Sequence, residues 1–322
     1  METEGATAAV AAAETAGEGR TSPEPGPGGV PSGRPFAVIA EPAPHGIRKG
    51  DDSDEGKPMC LHGTGETVRA RTRGTEADAP PAAPTGQRTL GYRRVADLSH
   101  VVSPSMPTFD PEKPRREAVD PPLADGAFGF FQQRWTFLEH TGTHLDAPGH
   151  VIGGGRLVPD IRSEELVVPA VVIDVRARAA QDPDTVVTVE DVERHEREHG
   201  PVPAGAAVLM CSGWDARWGQ GDDQVRGVAA DGSWHFPGFD PQACEYLVSR
   251  RAISGVGVDT LSTDPGASSD FPAHEVIGRA DRWGLEALTG LDRLPPTGAT
   301  LMVGVFPGED ASGGPSRVLA LW

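Results

Sequence analysis

The sequence predicts an α/β fold built on a mixed β-sheet with flanking helices. Seven short runs rich in β-branched and aliphatic residues recur between residue 94 and the end of the chain, and two capped helical stretches fall between them. The runs at 94–98, 134–138, 170–175, 207–211, 255–259, 300–305 and 317–321 read as strands. Thr188 provides an N-cap for a helix over 189–199 that Gly200 stops, and Asp240-Pro241 starts a second one reaching about Val248. Sequential strands separated by helices point to a partly parallel sheet covered by those helices.

The segment before these runs has another character. Up to about residue 90 the only aromatic residue is Phe36, and all six tryptophans lie at or after Trp135. Runs such as Pro23-Glu24-Pro25-Gly26-Pro27-Gly28-Gly29 and Pro80-Pro81-Ala82-Ala83-Pro84 bury too little apolar area to offset a backbone entropy of about 1–2 kcal/mol per residue. The expectation is a disordered acidic tail over 1–87 and a single folded domain over 88–322, with Met59 as an alternative start.

Composition narrows the function. The 322 residues carry 29 Lys+Arg against 47 Asp+Glu, a net charge of −18, which opposes a nucleic-acid partner. No run of apolar residues is long enough for a membrane span, and Met1-Glu2-Thr3-Glu4 lacks the basic start of a secretory signal, so the expected setting is cytoplasmic. The 3 cysteines, Cys60, Cys211 and Cys244, form no C-x-x-C pair, so a metal would have to use His and carboxylate ligands.

Those ligands are concentrated in one place. Of 10 histidines, His140, His144 and His150 fall in the stretch His140-Thr141-Gly142-Thr143-His144-Leu145-Asp146-Ala147-Pro148-Gly149-His150. A helix would turn Asp146 about 200° away from His144, and Gly142 and Pro148 oppose a helix. An extended chain puts His140, His144 and Asp146 on one face and Leu145 toward the core. Two imidazoles and a carboxylate suit zinc or manganese. His150, beyond a bend at Pro148-Gly149, is a candidate general acid/base.

This stretch resembles the H-x-G-T-H-x-D-x-P-x-H signature of the cyclase-like metal-dependent hydrolases, the family of bacterial kynurenine formamidase and isatin hydrolase. Further matching segments follow in order: Asp97-Leu98-Ser99, Ser212-Gly213-Trp214-Asp215, His235-Phe236-Pro237-Gly238-Phe239, Gly257-Val258-Asp259-Thr260 with Asp264, Phe271-Pro272-Ala273-His274, and Glu286. The resemblance implies a swivelling β/β/α fold and a homodimer or homotetramer. It also implies His140, His144 and Asp146 as the first metal ligands, His274 and Glu286 as those completing a second position, and His150 as the acid/base. One departure is Glu286-Ala287-Leu288 where relatives resemble Glu-Asn-Leu, and losing that amide would alter how the carboxylate is oriented.

The implied chemistry is hydrolysis of a small aryl amide, either an N-formyl aryl amine such as N-formylkynurenine or a cyclic amide such as isatin. One or two divalent ions, zinc or manganese, would lower the pKa of bound water toward 7 so that hydroxide attacks the carbonyl, with His150 moving the proton to the leaving amine. Phe109, Trp135 and Phe137 are candidates to face the substrate ring. Two other readings stay open: a metal-dependent dehydratase or cyclase of secondary metabolism, and a non-enzymatic metal-binding scaffold. His195-Glu196-Arg197-Glu198-His199 fits H-E-x-x-H, yet the charge around it reads as a solvated surface helix rather than a protease site. Asp259 and Asp264, at the end of a buried strand, read as carboxylates that orient loops or reach the site.

Overall fold

The computed structural model describes residues 90–322, and the tail expected over 1–87 and the alternative start at Met59 lie outside the described residues. In chain order the elements begin with β1 (Val95–Asp97), β2 (Arg115–Ala118), β3 (Gln133–Thr136), β4 (His144–Asp146), β5 (Val167–Asp174), α1 (Arg176–Ala179), β6 (Val186–Val187), α2 (Val189–His199) and β7 (Ala207–Cys211). They continue with α3 (Asp222–Arg226), β8 (Gly238–Phe239), α4 (Pro241–Arg251), β9 (Gly255–Val258), α5 (Pro272–Arg279), β10 (Trp283–Glu286), β11 (Ala299–Val305) and β12 (Gly313–Leu321).

The mixed sheet is present, and its hydrogen bonding runs β12–β11–β5–β7–β9–β10–β4 and returns from β4 to β12. The stretch β5–β7–β9–β10 is parallel and the remaining pairs are antiparallel. β1 pairs with the far end of β12. Two small sheets, β2–β3 and β6–β8, stand apart from the main one.

Alternation along the strands explains why so many are apolar throughout. In β5, Val168, Ala170 and Val172 join one core while Val171 and Ile173 join another, and β7 splits Leu209 from Val208 and Met210 in the same way. Both faces are therefore covered, as parallel strands require. The second core is closed by Val192 of α2, Cys244 and Leu247 of α4, and Ala273 and Ile277 of α5.

The helix over 189–199 has the predicted bounds, with Thr188 accepting from the Asp191 N–H. It is not wholly solvated: Asp191, Val192 and His195 are buried, because one face packs on the second core while the charged residues take the other. α4 continues three residues past Val248, where Arg251 reaches Glu196 of α2 at 2.6 and 2.7 Å. The strand predicted at 317–321 begins earlier, at Gly313, because its first residues pair with β4.

Asp259, just after β9, accepts from the backbone N–H groups of Ser212 and Gly213 at 2.9 and 2.8 Å and from the Ser212 hydroxyl at 2.5 Å. Burial, joined by the nearby charge of Asp215, pushes its carboxyl from 3.8 up to about 7 against those hydrogen bonds. Between these values the folded chain keeps a proton that the unfolded chain releases. The stability due to Asp259 is thus complete below the lower value and is lost as the pH rises toward the upper one. The melting temperature of Asp259→Asn should fall less than that of the parent between about pH 5.5 and about pH 7.5. A constant difference between the two proteins across that window would contradict this.

Candidate metal centre

Three neighbouring strands build the site. β4 lies between β10 and β12, with His144 opposite Glu286, and Asp146 opposite Gly284 on one side and Gly313 on the other. The period of two puts His144 and Asp146 on one face, while Leu145 is fully buried on the opposite one. His140 is not part of the strand, contrary to the extended reading of 140–146. Gly142, at φ +66, turns the chain just before His144, a left-handed conformation that suits glycine. The turn folds His140 back so that its Nδ1–H donates to Asp146 Oδ1 at 2.6 Å, with Nε2 3.0 Å from Ser312 Oγ. Gly313 makes room for that ring, since a Cβ there would lie 2.3 Å from His140 Cε1.

The other donors arrive from distant segments. His144 donates through Nδ1 to the Gly142 carbonyl at 2.8 Å, which leaves Nε2 facing Asp146 Oδ1 at 3.2 Å and Glu286 Oε2 at 3.5 Å. α5 brings His274, whose Nε2 lies 3.2 Å from Glu286 Oε1 and 3.6 Å from Asp146 Oδ2. Asp264 sets that ring: it accepts from the Ala273 and His274 N–H groups at 2.7 and 3.0 Å and from His274 Nδ1 at 2.6 Å. Thr263 N–H donates to Glu286 Oε1 at 2.8 Å. Ala287, the departure noted in the sequence, sits at φ +51, where asparagine is the better-tolerated residue, so the replacement falls on a strained backbone position beside Glu286.

Two overlapping trios could each hold an ion: His140, Asp146 and His150, and His144, Asp146 and Glu286. Asp146 is common to both, and this grouping differs from the expected split of His140, His144 and Asp146 against His274 and Glu286. The N···O separations among these groups, from 2.6 to 3.6 Å, bracket the spacing of about 3.0–3.5 Å between donors that share an ion at about 2.1 Å. Asp146 Oδ2 is buried with no hydrogen-bond partner, an arrangement that costs free energy unless a cation meets it.

The electrostatics agree. Burial disfavours charge on His144, yet Asp146 and Glu286 carry its pKa up to about 9. Against burial, the nearby carboxylates of Asp146, Asp264 and Glu286 raise His274 well above the ordinary value. Burial opposes ionisation of Asp146 too, and the facing His144, the hydrogen bond from His140 and the neighbouring His274 hold its carboxyl well below the usual range. The carboxylates demand positive charge at one point, and the donor set fits a divalent cation.

His150 stands at the open side. Its ring is tilted 31° against His140 with centroids 3.8 Å apart and lies 6.2 Å from His274. Burial among its neighbours, with the adjoining His140 and His274, holds it below the ordinary imidazole value against the pull of Asp146 and Glu286. Of the three aromatic candidates, Phe109 is linked to the site by ring contacts: it meets Phe271 at 6.2 Å and Trp234 at 5.1 Å, and Phe271 stands edge-on to His274 at 5.8 Å. Trp135 lies on β3 of a separate small sheet with the Arg116 guanidinium 5.7 Å over its ring, and Phe137 follows it, 39% exposed. Among the described residues, the aromatic contact to the histidines of this site is made by Phe271. In the sequence Phe271 stands out only as part of the Phe271-Pro272-Ala273-His274 motif, and no local pattern marks Trp234.

Comparison with known proteins gives this arrangement a lineage. The profile of the Cyclase family matches residues 96–265, more than half of the chain. The chain belongs to the Cyclase family. This Cyclase-family chain is 35% identical over 247 residues to the isatin hydrolase of Roseibium aggregatum, covering 72% of this chain and 92% of the other. It is 30% identical over 157 residues to the kynurenine formamidase of Salinibacter ruber, covering 49% of this chain and 64% of that one. Among solved structures, isatin hydrolase A from Ralstonia solanacearum aligns with TM-score 0.66 and 37% identity over 71% of this chain and 91% of its own. In the Cyclase-family chain His274 and Glu286 fall beyond the matched 96–265 segment, and β10 and α5 are what join them to the rest.

No helix among the described residues is long and apolar enough to cross a membrane.

Proposed function

We propose that this chain is a metal-dependent hydrolase of small aryl amides, cleaving the C–N bond of a cyclic amide such as isatin or of an N-formyl aryl amine such as N-formylkynurenine. The observation that carries the reading is the closure of His140, His144, His274 and Glu286 on the single carboxylate Asp146, with His150 stacked at the open side. The isatin hydrolase of Roseibium aggregatum, aligned over 247 residues against 157 for the kynurenine formamidase of Salinibacter ruber, supports the cyclic amide as the first substrate to test.

His140, His144, Asp146, His274 and Glu286 would hold zinc or manganese at one or two positions. Such an ion supplies Lewis acidity, lowering the pKa of water and polarising a carbonyl. The protein's own residues do the rest. His150, neutral near pH 7, takes a proton from the attacking water and returns it to the departing amine nitrogen, so that the C–N bond breaks without expelling an amide anion. Phe271, backed by Phe109 and Trp234, offers an aromatic wall beside His274 for the substrate ring. Asp264 and Thr263 fix His274 and Glu286, so the cluster is set before substrate arrives.

The working enzyme in this reading is a cytoplasmic homodimer or homotetramer. Support comes from Phe128, Phe130 and Phe131 between β2 and β3, which are 101%, 78% and 47% exposed in the single chain.

The test is hydrolysis of isatin and N-formylkynurenine by protein loaded with zinc or with manganese. Turnover of either compound, lost on chelation, is expected. Loss of water from a linear precursor, with neither amide cleaved, would favour the dehydratase or cyclase reading instead.

A further inference from the structure

The H-E-x-x-H stretch of α2 contributes no donor to the centre described above, and its glutamate is not free to act as a base. Glu196 accepts from Arg251 Nε and Nη2 at 2.6 and 2.7 Å and from the Val202 N–H at 3.0 Å. Its two histidines are differently placed. His195 and His199 lie one turn apart, with ring centroids 4.9 Å apart and planes at 56°. His195 is buried, 6% exposed, and its Nε2 has no hydrogen-bond partner. A ring nitrogen buried without a partner costs free energy unless a proton donor or a cation meets it.

We propose that His195 and His199 form an accessory two-histidine clamp for a transition-metal dication, separate from the catalytic centre. Two imidazole nitrogens bound at about 2.0–2.1 Å to a common ion stand about 3 Å apart, a spacing that rings with centroids 4.9 Å apart can present. Imidazole pairs favour copper, nickel and zinc over magnesium or calcium. The position helps as well. His199 is the last residue of α2, where the helix dipole leaves partial negative charge, and Glu198 Oε2 lies 3.7 Å from His199 Nε2. Burial, with the neighbouring His199, lowers the His195 pKa, so its imidazole is neutral and ready to ligate near pH 7. Two protein ligands leave the other positions to water.

Protein already loaded with zinc or manganese would be titrated with Cu²⁺ and followed by electron paramagnetic resonance, alongside His199→Gln. His199 is on the surface, so its replacement should leave the fold and the basal activity unchanged. The parent should take up one copper with two equatorial nitrogens, keep its activity and melt at a higher temperature. The variant should need at least about tenfold more copper and lose the two-nitrogen signal. His195→Gln, if its melting temperature stays near that of the parent, should behave the same way. Identical copper titrations for parent and His199→Gln would overturn the proposal. So would copper uptake that abolishes activity equally in both, since the ion would then sit in the catalytic centre.

Discussion

His150→Ala should keep the metal content of the parent and lose about 10²–10⁴-fold in turnover, the usual contribution of a positioned general acid/base. The ring is exposed and stacks on His140, so removing it opens no core cavity and the fold should be unchanged. The loss should be larger for an amide with a poor leaving amine than for one whose amine leaves readily, because the missing proton matters most when the C–N bond breaks. His150 also belongs to one of the two donor trios. Loss of one metal equivalent together with turnover would therefore make it a ligand rather than the proton carrier, and unchanged turnover would remove it from the chemistry.

Asp146→Ala should have the larger effect on metal content. Both trios share this carboxylate, and three histidines point at it, so its removal takes a donor from every candidate position at once. Metal recovered with the purified variant should fall at least about tenfold, with turnover falling further because two functions go together. The variant should also unfold more readily, since His144 and His274 keep their burial but lose a partner for their charge. Full metal retention in Asp146→Ala would mean that the shared carboxylate is not the centre of the site.

The local part of this site is legible in the sequence because it is local. His144, Asp146 and His150 lie within one strand and the turn after it, where the period of two and the Pro148-Gly149 bend have direct meanings. His140 required one more fact, the left-handed turn at Gly142, which an alternation argument does not include. His274 and Glu286 carry no spacing signal of their own and entered only through family resemblance. Glu286 reaches the site because β10 pairs with β4 across a wide gap in the chain, and His274 because α5 carries it there against Asp264. The four residues of β10 are too few to announce a strand, and the ring of strands closes only because Gly313 and Gly314 continue β12 alongside β4. Phe271 escaped notice as a wall residue because its role comes from packing against His274, and Trp234 because it acts through Phe109. The capped helix at 189–199 was readable end to end, but its burial was not. Val192 and His195 point inward at one helical turn's spacing, a pattern that surrounding charge conceals.

The central claim is tested most directly by chelating the protein, returning zinc or manganese in measured steps, and following isatin and N-formylkynurenine hydrolysis at each step. Activity absent from the chelated protein, rising with added metal and levelling at one or two equivalents per chain, is the predicted result. Hydrolysis that persists in the chelated protein, or metal that binds at those equivalents without cleaving either amide, would contradict it.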